Sequence, residues 1–281
     1  MTSMRAFERP GEPRLSYRID LPKGPALGRV LLIHGYADHS ARFDRVVTVW
    51  QDAGLSVARF DLRGHGHSEG PRGHVARFSD YVRDVSDLLA HLQGSTDWEG
   101  DRPPAIFGHS LGGLIASHAA LALGSRVSGM ALTSPFFAVA KPPPAIQRAL
   151  APIVMRLAPG LKQPSGLSGS DMTHDAEIVK GYDADPLRFS HVTVGWFGQV
   201  SLAQAEVMER AQMLTTPCFC IAAGDDRVVS VAAIRRFFDL IGSAEKELDV
   251  RPGLFHEVLN EPDYRDHAGR LGEHMLRWTK A

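Results

Sequence analysis

Ser110 lies where the chain must turn sharply from a strand into a helix. Residues 105–107 form a short apolar run typical of the end of a buried strand, and the residues after the serine follow the three-to-four spacing of a helix face. Gly108 and Gly112 flank the serine where a side chain would collide with a chain that folds back on itself. This Gly-x-Ser-x-Gly pattern predicts a nucleophile elbow, the alternative being an ordinary glycine-rich turn with a surface serine.

A serine hydroxyl is a weak nucleophile and needs a base within hydrogen-bond reach. A carboxylate orients that base and compensates its positive charge once it is protonated. His256 follows a strand predicted at 247–250, so it is placed to act as general base toward Ser110 and later as acid toward the leaving alcohol. A surface loop histidine is the alternative interpretation. His267 and His274 are rival bases, but both fall inside a predicted helix.

The acid is expected after the strand predicted at 217–223, where Asp225 and Asp226 are adjacent and only one can point at His256. Asp226 is preferred because the residues after it lead directly into a helix, which leaves Asp225 solvated in the turn. The resulting order of serine, acid and histidine is that of the α/β-hydrolase fold.

An acyl-transfer oxyanion needs two backbone donors held in place before the reaction. One is predicted to be the amide of Leu111, at the helix start beside the serine, and the other the amide of Tyr36, after the strand predicted at 29–33. Because the backbone donates, the identity of the Tyr36 side chain is expected to matter little.

The composition is compatible with a globular protein but does not identify its function. The chain has 281 residues, 44% of them hydrophobic, with 31 Lys and Arg against 32 Asp and Glu. With no basic run, nucleic acid is not an expected partner. No apolar stretch is long enough to cross a bilayer and the first residues lack a signal-peptide core, so a cytoplasmic protein is predicted.

The cysteines and histidines give no sign of a metal or a disulfide. Cys218 and Cys220 would share one face of a strand about 6.6 Å apart, so they are predicted to be buried and reduced. His65, His67 and His74 have no acidic or thiol partner at ligand spacing, and a metal site is not predicted.

Alternating strands and helices predict an α/β fold, a mostly parallel sheet flanked by helices. Strands are predicted at 4–7, 15–20, 29–33, 56–60, 105–107, 127–133, 217–223 and 247–250, and helices at 42–53, 78–92, from 111 onward, 231–241 and 262–278. In the second helix Asp80, Arg83, Asp84 and Asp87 are predicted to face outward.

The pattern changes after residue 135. Residues 136–205, with no clear strand, are predicted to be a helical lid inserted into a core formed by 1–135 and 206–281. One amphipathic piece aligns Ile146, Leu150, Ile153, Val154 and Leu157. Packing of this piece against the core is favoured over transient contact with a membrane surface, which stays open.

Several segments together resemble the monoacylglycerol lipase and lysophospholipase family of the α/β-hydrolases, over nearly the whole chain after residue 15. They are His34 to Phe43, Gly64 to Gly73, Gly108 to Gly113, Leu132 to Phe136, Tyr182 to Leu187, Asp226 to Val229 and Gly253 to His256.

The resemblance implies hydrolysis of a single-chain acyl ester, a monoacylglycerol or a lysophospholipid, without a metal or organic cofactor and with no obligate protein partner. It implies that Asp38, Arg42 and Tyr182 hold the glyceryl end, and that the lid lines a tunnel for the acyl chain. The mammalian monoacylglycerol lipases carry a second histidine where this chain has Leu259, which puts recognition of the alcohol in question.

Other functions remain open from the sequence. A general short-chain esterase, thioesterase or peptidase would use the same residues, and a non-catalytic binding scaffold is the alternative outside the enzymes. A serine at the elbow excludes epoxide hydrolase and dehalogenase chemistry, which needs a carboxylate there. His34, His65 and His109 are interpreted as structural residues of the loops around the site.

Overall fold

The computed structural model describes residues 4–98, 100, 102–142, 144 and 153–280. Its strands are β1 (Arg5–Phe7), β2 (Leu15–Asp20), β3 (Gly28–Ile33), β4 (Leu55–Phe60), β5 (Ala105–His109), β6 (Met130–Thr133), β7 (Lys162–Pro164), β8 (His191–Thr193), β9 (Cys218–Ala223) and β10 (Lys246–Arg251). The α-helices are α1 (Asp44–Asp52), α2 (Ser79–Gln93), α3 (Leu111–Leu123), α4 (Ala176–Ala184), α5 (Val194–Glu209), α6 (Val231–Leu240) and α7 (Tyr264–Thr279), with a short helical segment at 153–157.

Eight strands form one sheet in the order β1-β2-β4-β3-β5-β6-β9-β10. The six strands from β4 to β10 in that order pair in parallel, and only β1 and β2 run antiparallel to their neighbours. The predicted mostly parallel sheet is therefore confirmed. Because parallel strands end at one edge, the loops after β3, β5, β9 and β10 meet there.

Helices cover both faces of the sheet because its central strands are apolar on both sides. In β3, Leu31 and Ile33 join a core cluster with α2, α3, α5 and α6, whereas Val30 and Leu32 join the cluster of α1 and α7 on the other face. This burial on both faces explains why β3 reads as one continuous apolar run. Cys218 and Cys220 lie buried on β9 as free cysteines.

The prediction that residues 136–205 hold no strand is wrong. Within them β7 and β8 pair antiparallel as a small second sheet. Each has only three residues, and β7 is fully exposed, so neither carries the apolar alternation that signals a strand. The boundary predicted at 205 falls inside α5, whose Trp196 and Val200 belong to the core; the division into core and lid stays a prediction.

Two of the apolar residues at 153–157 are exposed, whereas Val154 and Met155 are half-buried. Ile153 is 57% exposed and Leu157 is 78% exposed, which contradicts the favoured prediction of core packing for these two. Ile146 and Leu150, in the same predicted face, lie outside the described residues. Among the described helices, none combines the length and apolarity needed to cross a membrane.

The prediction that Asp84 faces outward is also wrong. Its carboxylate is fully buried and accepts two hydrogen bonds of 2.7 Å from Arg63, and Arg9 also donates to it. A helix wheel assigns charged residues to solvent, but here two arginines from other segments compensate the buried charge.

Candidate active site

The serine lies at a backbone conformation that few residues other than glycine adopt. Ser110 has φ of 51° and ψ of −116° between β5 and α3. A Cβ on Gly108 would lie 2.4 Å from the carbonyl oxygen of Gly112, and one on Gly112 would lie 2.1 Å from the carbonyl oxygen of Ile33. Both positions of the predicted elbow therefore require glycine, because backbone atoms cannot give way as a side-chain tip can.

Ser110, His256 and Asp226 lie in one hydrogen-bonded line. The Ser110 Oγ is 2.9 Å from His256 Nε2, and His256 Nδ1 is 2.8 Å from Asp226 Oδ2. An ionised carboxylate only accepts, so Nδ1 donates to Asp226, and Nε2 is left to accept the serine proton. The other oxygen of Asp226 accepts from the amides of Val228 and Val229, which fixes the carboxylate.

The remaining candidates for acid and base lie elsewhere. Asp225 is exposed, and its amide donates to the carbonyl of Leu254. His267 is buried in α7, where its Nδ1 lies 3.0 Å from the carbonyl oxygen of Val258. His274 stacks on Phe219 at 3.9 Å.

Burial and a neighbouring charge act in opposite directions on His256. Burial lowers the pKa of His256, but the charge and hydrogen bond of Asp226 outweigh it and raise that pKa above its ordinary value. Burial acts to raise the pKa of Asp226, and its interaction with His256 lowers it overall. His109, 4.9 Å from the ring of His256, has a pKa lowered by burial to about 4 and stays neutral at pH 7.

The loop after β3 reaches the serine. A Cβ on Gly35 would lie 3.4 Å from Ser110 Cβ, so this loop passes directly beside the nucleophile position. His34 holds the loop, since its Nε2 accepts from the amide of Leu62 and its Nδ1 donates to the carbonyl of Gly35. The amide of Leu111 lies in the first turn of α3, where N–H groups have no partner within the helix.

The Tyr36 side chain, whose identity is expected to matter little, makes specific contacts in the structure. Its hydroxyl donates to the carbonyl oxygen of His191 at 2.8 Å, and its ring lies 3.9 Å from that of Trp196. Both partners come from the predicted lid. No local pattern could signal this contact, because Tyr36 and His191 are 155 positions apart in the chain.

Asp38, Arg42 and Tyr182, the residues assigned to the glyceryl end, lie together. Arg42 Nη1 is 3.2 Å from Asp38 Oδ1, and the Arg42 guanidinium lies 4.7 Å from the centre of the Tyr182 ring. Arg42 also makes two hydrogen bonds, of 2.9 and 2.8 Å, with Glu257. Burial acts to raise the pKa of Glu257, but Arg42 lowers it to about 2.

Two buried glutamates beside the histidine escaped sequence reasoning. Glu257 directly follows His256, and that adjacency was the one available signal. Glu261 is fully buried and accepts from the amides of Phe255 and His174 and from the hydroxyl of Thr173. It joins the loop of His256 to a segment of the predicted lid.

Fold and site define the chain as a serine hydrolase of the α/β-hydrolase fold. The family model described as serine aminopeptidase, S33, matches residues 24–263, and the chain belongs to that family. Among curated proteins it is 31% identical to a monoacylglycerol lipase of Mycolicibacterium smegmatis, over 94% of this chain and 93% of that protein. It is 28% identical to phospholipase YtpA of Bacillus subtilis, over 84% and 90% of the two chains.

A solved structure has the same architecture. The monoacylglycerol lipase of Paleococcus ferrophilus is similar with a TM-score of 0.85 and 26% identity, over 94% of this chain and 99% of that one. A monoglyceride lipase of Saccharomyces cerevisiae gives the same TM-score at 20% identity, over 100% and 96%, which supports the fold alone.

Proposed function

We propose that the protein hydrolyses carboxylic esters of single-chain lipids, monoacylglycerols or lysophospholipids, through an acyl-enzyme on Ser110. The observation that carries the proposal is the continuous contact of Ser110 with His256 and of His256 with Asp226. The names of the relatives, monoacylglycerol lipases and a phospholipase, support the lipid substrate.

In the first half-reaction Ser110 Oγ attacks the ester carbonyl carbon while His256 Nε2 takes the hydroxyl proton. The amides of Tyr36 and Leu111 stabilise the negative oxygen of the tetrahedral intermediate. That intermediate collapses, the alcohol leaves with the proton from His256, and the acyl group stays on Ser110. Water, deprotonated by His256, then releases the fatty acid and restores the serine.

Asp38, Arg42 and Tyr182 are proposed to bind the alcohol end of the substrate. Support comes from the link of Arg42 to Glu257, the residue next to His256. Leu259, which replaces the second histidine of the mammalian enzymes, is buried in the core and offers no polar side chain. We therefore expect alcohol recognition to depend on Arg42 and its partners.

The lid is proposed to make transient contact with a membrane surface. The exposed Ile153 and Leu157 support this contact, because exposed apolar side chains can dock on a lipid surface. A cytoplasmic location is a prediction from the sequence alone.

Hydrolysis of monoacylglycerols from short to long chain, beside a short nitrophenyl ester, tests the function. We expect longer chains to be preferred and all activity to be lost in Ser110→Ala, but not in Ser201→Ala, which removes an exposed hydroxyl on α5. Activity on the short ester alone would favour a general esterase. Activity without the Ser110 hydroxyl would refute the mechanism.

A peptidase is the second candidate, because the family model is described as serine aminopeptidase. Its test is release of nitroaniline from amino-acid anilides by the same two variants. Anilide hydrolysis that exceeds ester hydrolysis and needs Ser110 would replace the lipase proposal.

A further inference from the structure

Tyr36 engages two different parts of the molecule with its backbone and its side chain. Its backbone belongs to the loop that passes beside Ser110, whereas its side chain contacts residues 189–196, which we call the lid strap. The strap comprises β8, the two residues before it and the first turn of α5.

The backbone side is fixed through the peptide that joins Gly35 to Tyr36. His34 donates to the carbonyl oxygen of Gly35 at 2.8 Å. In a trans peptide the C=O and the following N–H point in opposite directions, so holding this oxygen also fixes the direction of the Tyr36 N–H. Ala37, the next residue, has φ of 54°, which makes the loop a specific and strained conformation.

The side chain is fixed by the strap. The Tyr36 hydroxyl donates to the carbonyl oxygen of His191, and the ring packs against Phe189 at 5.4 Å and Trp196 at 3.9 Å. The neighbouring position 73 must be glycine, since a Cβ there would lie 3.0 Å from the hydroxyl and 2.9 Å from the His191 oxygen. Burial raises the pKa of Tyr36, so its hydroxyl stays protonated and available as a donor.

We propose that Tyr36 is a positioning residue through which the lid strap orients one of the two oxyanion donors. The inference rests on the proposed function, because it concerns the Tyr36 amide as that donor. A displaced strap would remove the contacts of the Tyr36 side chain and leave the peptide held from the His34 side, so that its amide could deviate from the direction of the substrate oxygen. The position of the lid would then set the rate of acyl transfer as well as access to the site.

The test is Tyr36→Phe, which keeps the ring and removes only the hydroxyl. The matched control is Tyr17→Phe, which removes another buried tyrosine hydroxyl, 3.0 Å from His91 Nε2. Three quantities are measured: kcat/KM for a monoacylglycerol, the inhibition constant of an alkyl trifluoromethyl ketone, and the Kd of a 1-O-alkylglycerol. The ketone forms an oxyanion on the serine, whereas the ether lacks a carbonyl and reports ground-state binding alone.

We expect Tyr36→Phe to lower kcat/KM and to raise the inhibition constant of the ketone by the same factor, about tenfold. This factor is smaller than the loss that follows removal of an oxyanion donor, because the amide is displaced and not removed. The Kd of the ether and the pH profile should not change, because neither depends on that amide. Phe189→Leu, which removes the aromatic contact of the strap with the Tyr36 ring, should change the same two constants in the same direction. In the double variant the two effects should be less than additive.

Equal effects of Tyr36→Phe and Tyr17→Phe would overturn the inference, as would a loss confined to ether binding. If the wild-type activity survives Ser110→Ala, the proposed function itself fails and the inference falls with it. If the activity requires Ser110 but is unchanged in Tyr36→Phe, the coupling of the lid strap to the oxyanion donor is refuted while the proposed function stands.

Discussion

The charge on Asp226 affects the pH range in which His256 is neutral and can accept a proton. Burial alone would lower the pKa of His256, and Asp226 raises it instead. A base works only in its neutral form, so kcat/KM should fall as the pH drops through a value above the ordinary pKa of histidine.

Replacing Asp226 with asparagine should reduce that shift. Burial remains while the carboxylate that raises the pKa of His256 most is neutralised, and Glu257 and Asp38 raise it less, so this pKa should drop and the acidic limb should move to lower pH. The neutral-pH rate should fall on the order of 10⁴-fold, because the histidine tautomer is no longer held. Steady-state kinetics across pH measure both effects. Asp225→Asn is the matched control, and a larger effect there would contradict the assignment of the acid.

Arg42 and Glu257 form a buried ion pair beside His256. Arg42→Met should cost about 3–5 kcal/mol of unfolding free energy, because it leaves the Glu257 carboxylate buried without its main partner. Adding Glu257→Gln should restore part of that loss by removing the charge. Urea unfolding of the two single variants and the double variant measures the coupling. Additive losses would show that the pair contributes nothing beyond its separate side chains.

At the scale of elements, the elbow between β5 and α3 depends on backbone contact. Gly112→Ala should destabilise the fold by several kcal/mol or prevent folding, because its Cβ would meet the carbonyl oxygen of Ile33 at 2.1 Å. Gly269→Ala in α7 is the matched control, since among the described residues no atom beyond its sequence neighbours and the adjacent helix backbone lies within 4 Å of the added Cβ. It should stabilise by about 1 kcal/mol through helix propensity. Thermal unfolding compares them, and equal melting temperatures would contradict the argument.

Sequence reasoning succeeded for elements whose pattern is local. The strand before Ser110, the helix after it and the glycines between them are all encoded within a few residues, and serial order identified His256 and Asp226 as candidates. It failed for contacts between distant segments. The burial of Asp84, the strap around Tyr36 and the role of Glu261 depend on partners that no periodicity connects to them.

At the scale of the whole molecule, the segment at 171–174 supports the loop of His256. The amide of Glu257 donates to the carbonyl oxygen of Met172 at 2.8 Å, and Glu261 accepts from the amides of Phe255 and His174. The ring of His174 stacks on that of Phe255 at 3.8 Å. The loop of His256 is therefore held by residues 171–174, which belong to the predicted lid, as well as by β10.

Glu261→Leu should weaken this support. It leaves two partly buried amides, those of Phe255 and His174, without their acceptor, at a cost of about 1 kcal/mol for each lost hydrogen bond. We expect faster tryptic cleavage at Lys180, in α4. We also expect a lower kcat and weaker inhibition by the serine-directed ketone. Limited proteolysis followed by mass spectrometry measures the first effect. Glu273→Leu, on the exposed side of α7, is the control, and equal cleavage rates would refute the support.

The pairing of residues 171–174 with 255–261 also bears on how such enzymes diversify. Two stretches 87 positions apart share one buried carboxylate, so a change in either is constrained by the other. If the predicted lid were replaced by that of a relative, residues 171–174 would change while residues 255–261, which contact them, would not. Chimeras should therefore function when both stretches come from the same parent, and recombination between them should be selected against.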